Sequence, residues 1–128
     1  MSKRSKPKPC IFIGSSLKDL KRFPAKVQNR FGYALNQVQE GDEPSAAKAL
    51  KGFGGRTVLK LIDDFDSDTY RAVYTVRFAG VVYVLHAFQK KAKKGVATPR
   101  QDIDLIKSRL RDAESHYRTR VESEGHKP

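Results

Sequence analysis

Apolar positions along the chain fall into short runs separated by glycine, proline and acidic residues. Cys10-Ile11-Phe12-Ile13 is one such run, closed by Gly14, and it predicts a first strand. Ser16 precedes Asp19 by three positions and opens a short helix with Leu17 and Leu20 inward. Pro24 suits a first helical position. Val27, Phe31, Ala34, Leu35 and Val38 then recur at helical spacing until Gly41, which predicts a second, longer helix. Gly41 to Gly55 reads as loop. Beyond it, Val58 to Ile62, Tyr70 to Phe78 and Val81 to Gln89 are rich in β-branched and aromatic residues and predict a three-strand meander. The acidic segment Asp63 to Asp68 joins the first pair, and Ala79-Gly80 joins the second tightly. Thr98, Pro99 and Gln101 form a capping sequence ahead of Ile103, Ile106, Leu110, Ala113 and Tyr117, so a last helix is expected from about Pro99 to Arg118. The order β-α-α-β-β-β-α predicts a small α+β domain, a mostly antiparallel sheet with helices packed on one face. Residues 1–9 read as a disordered basic arm, 10–118 as one domain, and 119–128 as a polar flexible tail.

Composition narrows the partners. The 128 residues are 38% hydrophobic, enough for a single core, and contain 26 Lys plus Arg against 14 Asp plus Glu. The resulting net charge of +12 favours a polyanion: nucleic acid first, an anionic membrane second. Nine of those charges sit in two acid-free segments, residues 1–9 and 89–100. The single cysteine, Cys10, excludes an intramolecular disulfide and a cysteine-based zinc site, and its usage fits a reducing cytoplasm. Neither a membrane-spanning run nor a signal peptide is expected.

Strand alternation locates candidate chemistry. Tyr70, Ala72, Tyr74, Val76 and Phe78 form the apolar set that should face the helices, leaving Arg71 and Arg77 on the open face. Lys60 interrupts Leu59 and Leu61 and joins that exposed side. In the last strand one face carries Val82, Val84, His86, Phe88 and Lys90. A basic, partly aromatic sheet face can bind single-stranded RNA, with cations on phosphates and rings on bases; an ordinary solvated face has the same pattern. Lys90, Lys91, Lys93 and Lys94 continue this face as a dense cation run, and close like charges lower a lysine's pKa, which suits proton transfer. His86 is either structural or a general acid–base group. Asp64, Asp66 and Asp68 alternate as in a calcium loop but lack its Gly and closing Glu, and no metal site is expected. No Walker loop, dinucleotide fingerprint or nucleophile elbow is present.

Four segments in order carry a family resemblance: Leu50-Lys51-Gly52-Phe53, Tyr70-Arg71-Ala72-Val73-Tyr74, Val84-Leu85-His86-Ala87-Phe88-Gln89-Lys90-Lys91 and Thr98-Pro99-Arg100-Gln101-Asp102-Ile103. Together they resemble the phage-derived, HigB-like branch of the RelE toxin superfamily over residues 50–110. The chain departs from that pattern by a second lysine pair and Gly95 after the first. The resemblance implies a RelE-like fold and a ribosome-dependent mRNA endonuclease, the cytoplasmic toxin of a type II toxin–antitoxin pair. It further implies a helix-turn-helix antitoxin in a hetero-oligomer, and metal-free, cofactor-free attack of the RNA 2′-hydroxyl on the adjacent phosphate. Arg71, Lys90, Lys91 and His86 match the family's catalytic positions. Lys60, Arg77, Lys93, Lys94 and Arg56 are RNA contacts by position or charge alone. A non-cleaving nucleic-acid-binding module, or a basic structural protein docking an acidic partner, would account for the charge without any acid or base.

Overall fold

The computed structural model describes residues 7–91 and 98–125, Lys91 by its backbone only. Eight elements follow one another: β1 (Cys10–Phe12), α1 (Ser16–Leu20), α2 (Ala25–Gln39), β2 (Lys48–Ala49), β3 (Val58–Phe65), β4 (Asp68–Thr75), β5 (Val82–Lys91) and α3 (Arg100–Gly125). The strands form one sheet in the order β1-β5-β4-β3-β2. All pairings are antiparallel except β1 with β5, which is parallel. The α+β class and the mostly antiparallel sheet agree with the sequence. The two-residue β2 carries too little apolar pattern to have been foreseen.

Two apolar clusters lie on opposite faces of the sheet. Val27, Phe31, Leu35 and Val38 of α2 pack with Leu59, Leu61, Tyr70, Ala72 and Tyr74. On the other face Ile106 and Ala113 of α3 pack with Val58, Val73, Tyr83 and Leu85. The expectation that the helices share one face is therefore corrected. Val58, Val73, Tyr83 and Leu85 make part of the second face apolar, so it needs a cover, and the stripe of α3 supplies it. Apolar side chains on both faces leave only part of the second face for polar chemistry.

Local chemistry accounts for the other differences. Asp63 bonds Arg30 at 2.7 Å, Asp64 accepts from Thr69 at 2.8 Å, and Asp68 accepts from Gln89 at 2.8 Å. With their carboxylates so occupied, the acidic segment extends both strands and turns only at Asp66 and Ser67, whose φ values are +54° and +73°. β4 instead ends at Thr75, whose hydroxyl donates to the Thr57 carbonyl and accepts from the Arg77 N–H. Pro24 sits at the N-cap, one place before the expected position. Pro9 and Lys8 are tied to Val82 and Gln39 through backbone bonds, so the end of the expected arm belongs to the domain; residues 1–6 lie outside the described residues. Helix α3 continues through Gly125, so that much of the expected tail is helical. No described helix is long and apolar enough to cross a membrane.

Ile106 is fully buried between α3 and the sheet. Ile106→Ala is expected to cost about 2–5 kcal/mol, read as a lower urea midpoint at nearly constant slope. A loss below about 1 kcal/mol would mean that α3 is not part of the cooperative core.

Candidate functional site

One irregularity arranges the site. In the β4–β5 ladder Val73 faces His86 while Tyr74 faces Val84, so Leu85 is the extra residue of a β-bulge. Before the bulge Val82 and Val84 point to the α2 cluster, and Tyr83 and Leu85 to the α3 cluster. After it the phase is reset, and His86, Phe88 and Lys90 join the α3 side opposite Val73, Arg71 and Thr69. Simple alternation would have kept Val82 and Val84 with His86. Arg109 of α3 donates to the Leu85 carbonyl at 3.0 Å, giving a bulged peptide group a partner. The same guanidinium reaches Ser15 Oγ at 3.0 Å, joining α3 to the loop after β1.

Cross-strand pairing then builds three rows on this face. Lys60, Val73 and His86 are opposite one another, as are Ile62, Arg71 and Phe88, and Asp64, Thr69 and Lys90. Arg71 in the middle row is the diagonal neighbour of Lys60, His86 and Lys90, about 7–8 Å away by sheet geometry. Lys48 extends the first row, since it pairs with Lys60 across β2. Arg71 is only 6% exposed. Its Nη1 donates to Thr98 Oγ1 at 3.4 Å, so Thr98, expected as a helix cap, lies against the arginine.

His86 is also 6% exposed. Its Nε2 is 2.8 Å from Asp102 Oδ1 in the first turn of α3, and its ring stacks on Phe88 with centroids 4.6 Å apart. Asp102 is a site residue that motif reading quoted but gave no role. Its position two places after Arg100, at the start of a helix crossing the sheet, was the available signal. The Lys60 ammonium is held below the ordinary lysine range, mainly by partial burial and then by the charges of Arg71, Lys48 and Lys51. Such a lysine gives up its proton more readily than an exposed one.

The remaining predicted residues do not gather here. Arg77 lies beyond the far end of β4, its Nη2 donating to the Phe53 carbonyl at 3.3 Å. Arg56 precedes β3 at that same far end and is ion-paired with Glu43. Both are six or more strand positions from the Arg71 level, about 20 Å, too far to share one phosphate with it. Lys91 ends β5 opposite Asp68, and its side chain lies outside the described residues, as do Lys93 and Lys94. The assembled set is Lys60, Arg71, His86 and Lys90.

Comparison with known proteins gives three findings. The profile of a family described as phage derived protein Gp49-like matches residues 18–111. A free-state variant of the Escherichia coli toxin RelE is similar in structure at 20% identity and a TM-score of 0.52, covering 84% of this chain and 98% of that one. The toxin–antitoxin complex RelBE2 from Mycobacterium tuberculosis contains a chain similar at 14% identity and a TM-score of 0.48, covering 72% of this chain and 100% of that one. No curated protein matches. The fold is that of RelE.

Because the native state holds the Lys60 proton less firmly than the unfolded chain does, stability rises with pH as it approaches the ordinary lysine range near 10.5. Lys60→Met removes that cost. It is expected to raise the thermal midpoint at neutral pH and to flatten the alkaline rise; a lowered midpoint would show that the ammonium is stabilising where it stands.

Proposed function

The chain belongs to the phage-derived Gp49-like family, and on that premise we propose that it is the toxin of a toxin–antitoxin pair and cuts mRNA on the ribosome. The observation that carries this reading is the convergence of Lys60, Arg71 and Lys90 on one partly covered sheet face.

Cleavage by the RNA's own 2′-hydroxyl needs a base, charge stabilisation and an acid. In this reading Lys60, already biased toward losing its proton, removes the proton from the 2′-oxygen. The 2′-oxygen attacks phosphorus and the bond to the 5′-oxygen breaks. Arg71 opposes the negative charge that grows on the non-bridging oxygens. Its burial strengthens that effect, because a poorly hydrated cation acts in a lower dielectric. Lys90 gives a proton to the departing 5′-oxygen, leaving a 2′,3′-cyclic phosphate and a 5′-hydroxyl. His86 takes a positioning role. With Nε2 turned to Asp102 and its ring against Phe88, it fixes the aromatic wall beside Arg71. The antitoxin partner, expected to be a helix-turn-helix protein, follows from the same family reading.

Primer extension on translated and untranslated transcripts tests the proposal. New 5′ ends are expected only on translated RNA, and Arg71→Ala should reduce them by a hundredfold or more while the chain still folds. Cleavage that survives in the variant removes Arg71 from the site. Salt-sensitive RNA binding without any new ends would make the protein a non-cleaving binder.

A further inference from the structure

The charges on the helices are not distributed alike. On α3 the exposed cations have acids one turn away: Arg100 with Asp104, Arg118 with Glu114, Arg120 with Glu124. That is the pattern of a solvated helix. Helix α2 contains no acidic residue at all. Lys26 and Arg30 stand on its outer side, and Tyr33 follows at the next turn of the same stripe. Lys21 and Arg22 lie in the turn just before the helix and are exposed. The one acid near them in sequence, Asp19, accepts from Ser15 at 2.8 Å.

Tyr33 is the most exposed large hydrophobic side chain of the described residues, at 69%. It therefore contributes little to the core, and its ring stands open at the end of a basic stripe. Arg30 is held in place: Asp63 of β3 bonds its Nη1 at 2.7 Å, and its guanidinium lies 6.0 Å from the Phe65 ring centre. A fixed cation, a second one a turn away and an open aromatic face are the parts from which stacking sites for unpaired bases are made. This stripe is on the α2 side of the sheet, whereas Arg71 and Lys90 are on the α3 side.

We propose that the outer face of α2 is a second RNA-binding surface, with Tyr33 stacking on an unpaired base and Lys21, Arg22, Lys26 and Arg30 on the flanking phosphates. The surface lies across the sheet from the cleavage site, so its ligand is a separate stretch of RNA. The proposal rests on the reading of the protein as an RNA-acting toxin but not on any step of the cleavage.

Fluorescence anisotropy with a short labelled oligoadenylate, on the full chain carrying Arg71→Ala and Lys90→Ala to weaken binding at the cleavage face, tests it. Tyr33→Ala should weaken binding about tenfold. Tyr33→Phe should bind like the parent, because the ring and not the hydroxyl stacks. Replacing Lys21, Arg22 and Lys26 by Gln should flatten the slope of log affinity against log salt by about 2. Unchanged affinity in Tyr33→Ala, or no recovery in Tyr33→Phe, overturns the proposal while leaving the Arg71 cleavage assay to stand or fall alone. If Tyr33→Ala keeps RNA binding but loses a co-expressed protein partner, the surface is a protein interface and the RNA assignment is wrong.

Discussion

The bulge at Leu85 is the constraint on which the site depends. One extra residue in β5 resets the side-chain phase, so that His86, Phe88 and Lys90 stand on the same face as Arg71 and Lys60. Without it, Val82, Val84 and His86 would share a face, and either the α2 core would lose two valines or the basic face would lose its histidine and lysine. The extra peptide group is stabilised from outside the sheet, by the Arg109 guanidinium on the Leu85 carbonyl. Helix α3 thus both covers the apolar part of the second face and holds the bulge that shapes its polar part.

Burial and charge oppose one another at this face. A nearly buried Arg71 beside a partly buried Lys60 costs solvation, and the two cations repel. Such an arrangement is unfavourable for the free protein, and a bound anion would relieve both costs. The His86–Asp102 contact and the Phe88 stack stand on the neighbouring strand of the same face. The solvation cost falls on this face, and the cores on either side of the sheet offset it.

Much of the fold was legible because the apolar periodicity of α2, β3, β4 and α3 is strong. The stripe Ile103, Ile106, Leu110, Ala113 and Tyr117 identified α3 as a packed helix. It could not show which face of the sheet α3 would cover, since Val73, Tyr83 and Leu85 make both faces partly apolar. Arg71 and Lys60 were legible from alternation within β4 and β3. The relation of His86 to them was not, because a bulge breaks the period of two that the argument relies on and leaves no distinct residue signature at Leu85. Arg77 was misplaced because Thr75 ends the strand with its own hydrogen bonds, which composition does not display. Asp102 and Tyr33 were hidden for opposite reasons. The first acts through a long-range contact, and the second matters only once its exposure beside Lys26 and Arg30 is known.

The central claim is that this face breaks RNA by attack of the substrate's own 2′-oxygen. The most direct measurement is the chemical identity of the new RNA ends, determined by mass spectrometry of fragments released during translation. A 2′,3′-cyclic phosphate is expected on the upstream fragment and a 5′-hydroxyl on the downstream one. A 5′-phosphate with a free 3′-hydroxyl would contradict it, because that outcome requires water to attack instead of the ribose, and the roles given to Lys60, Arg71 and Lys90 would not hold.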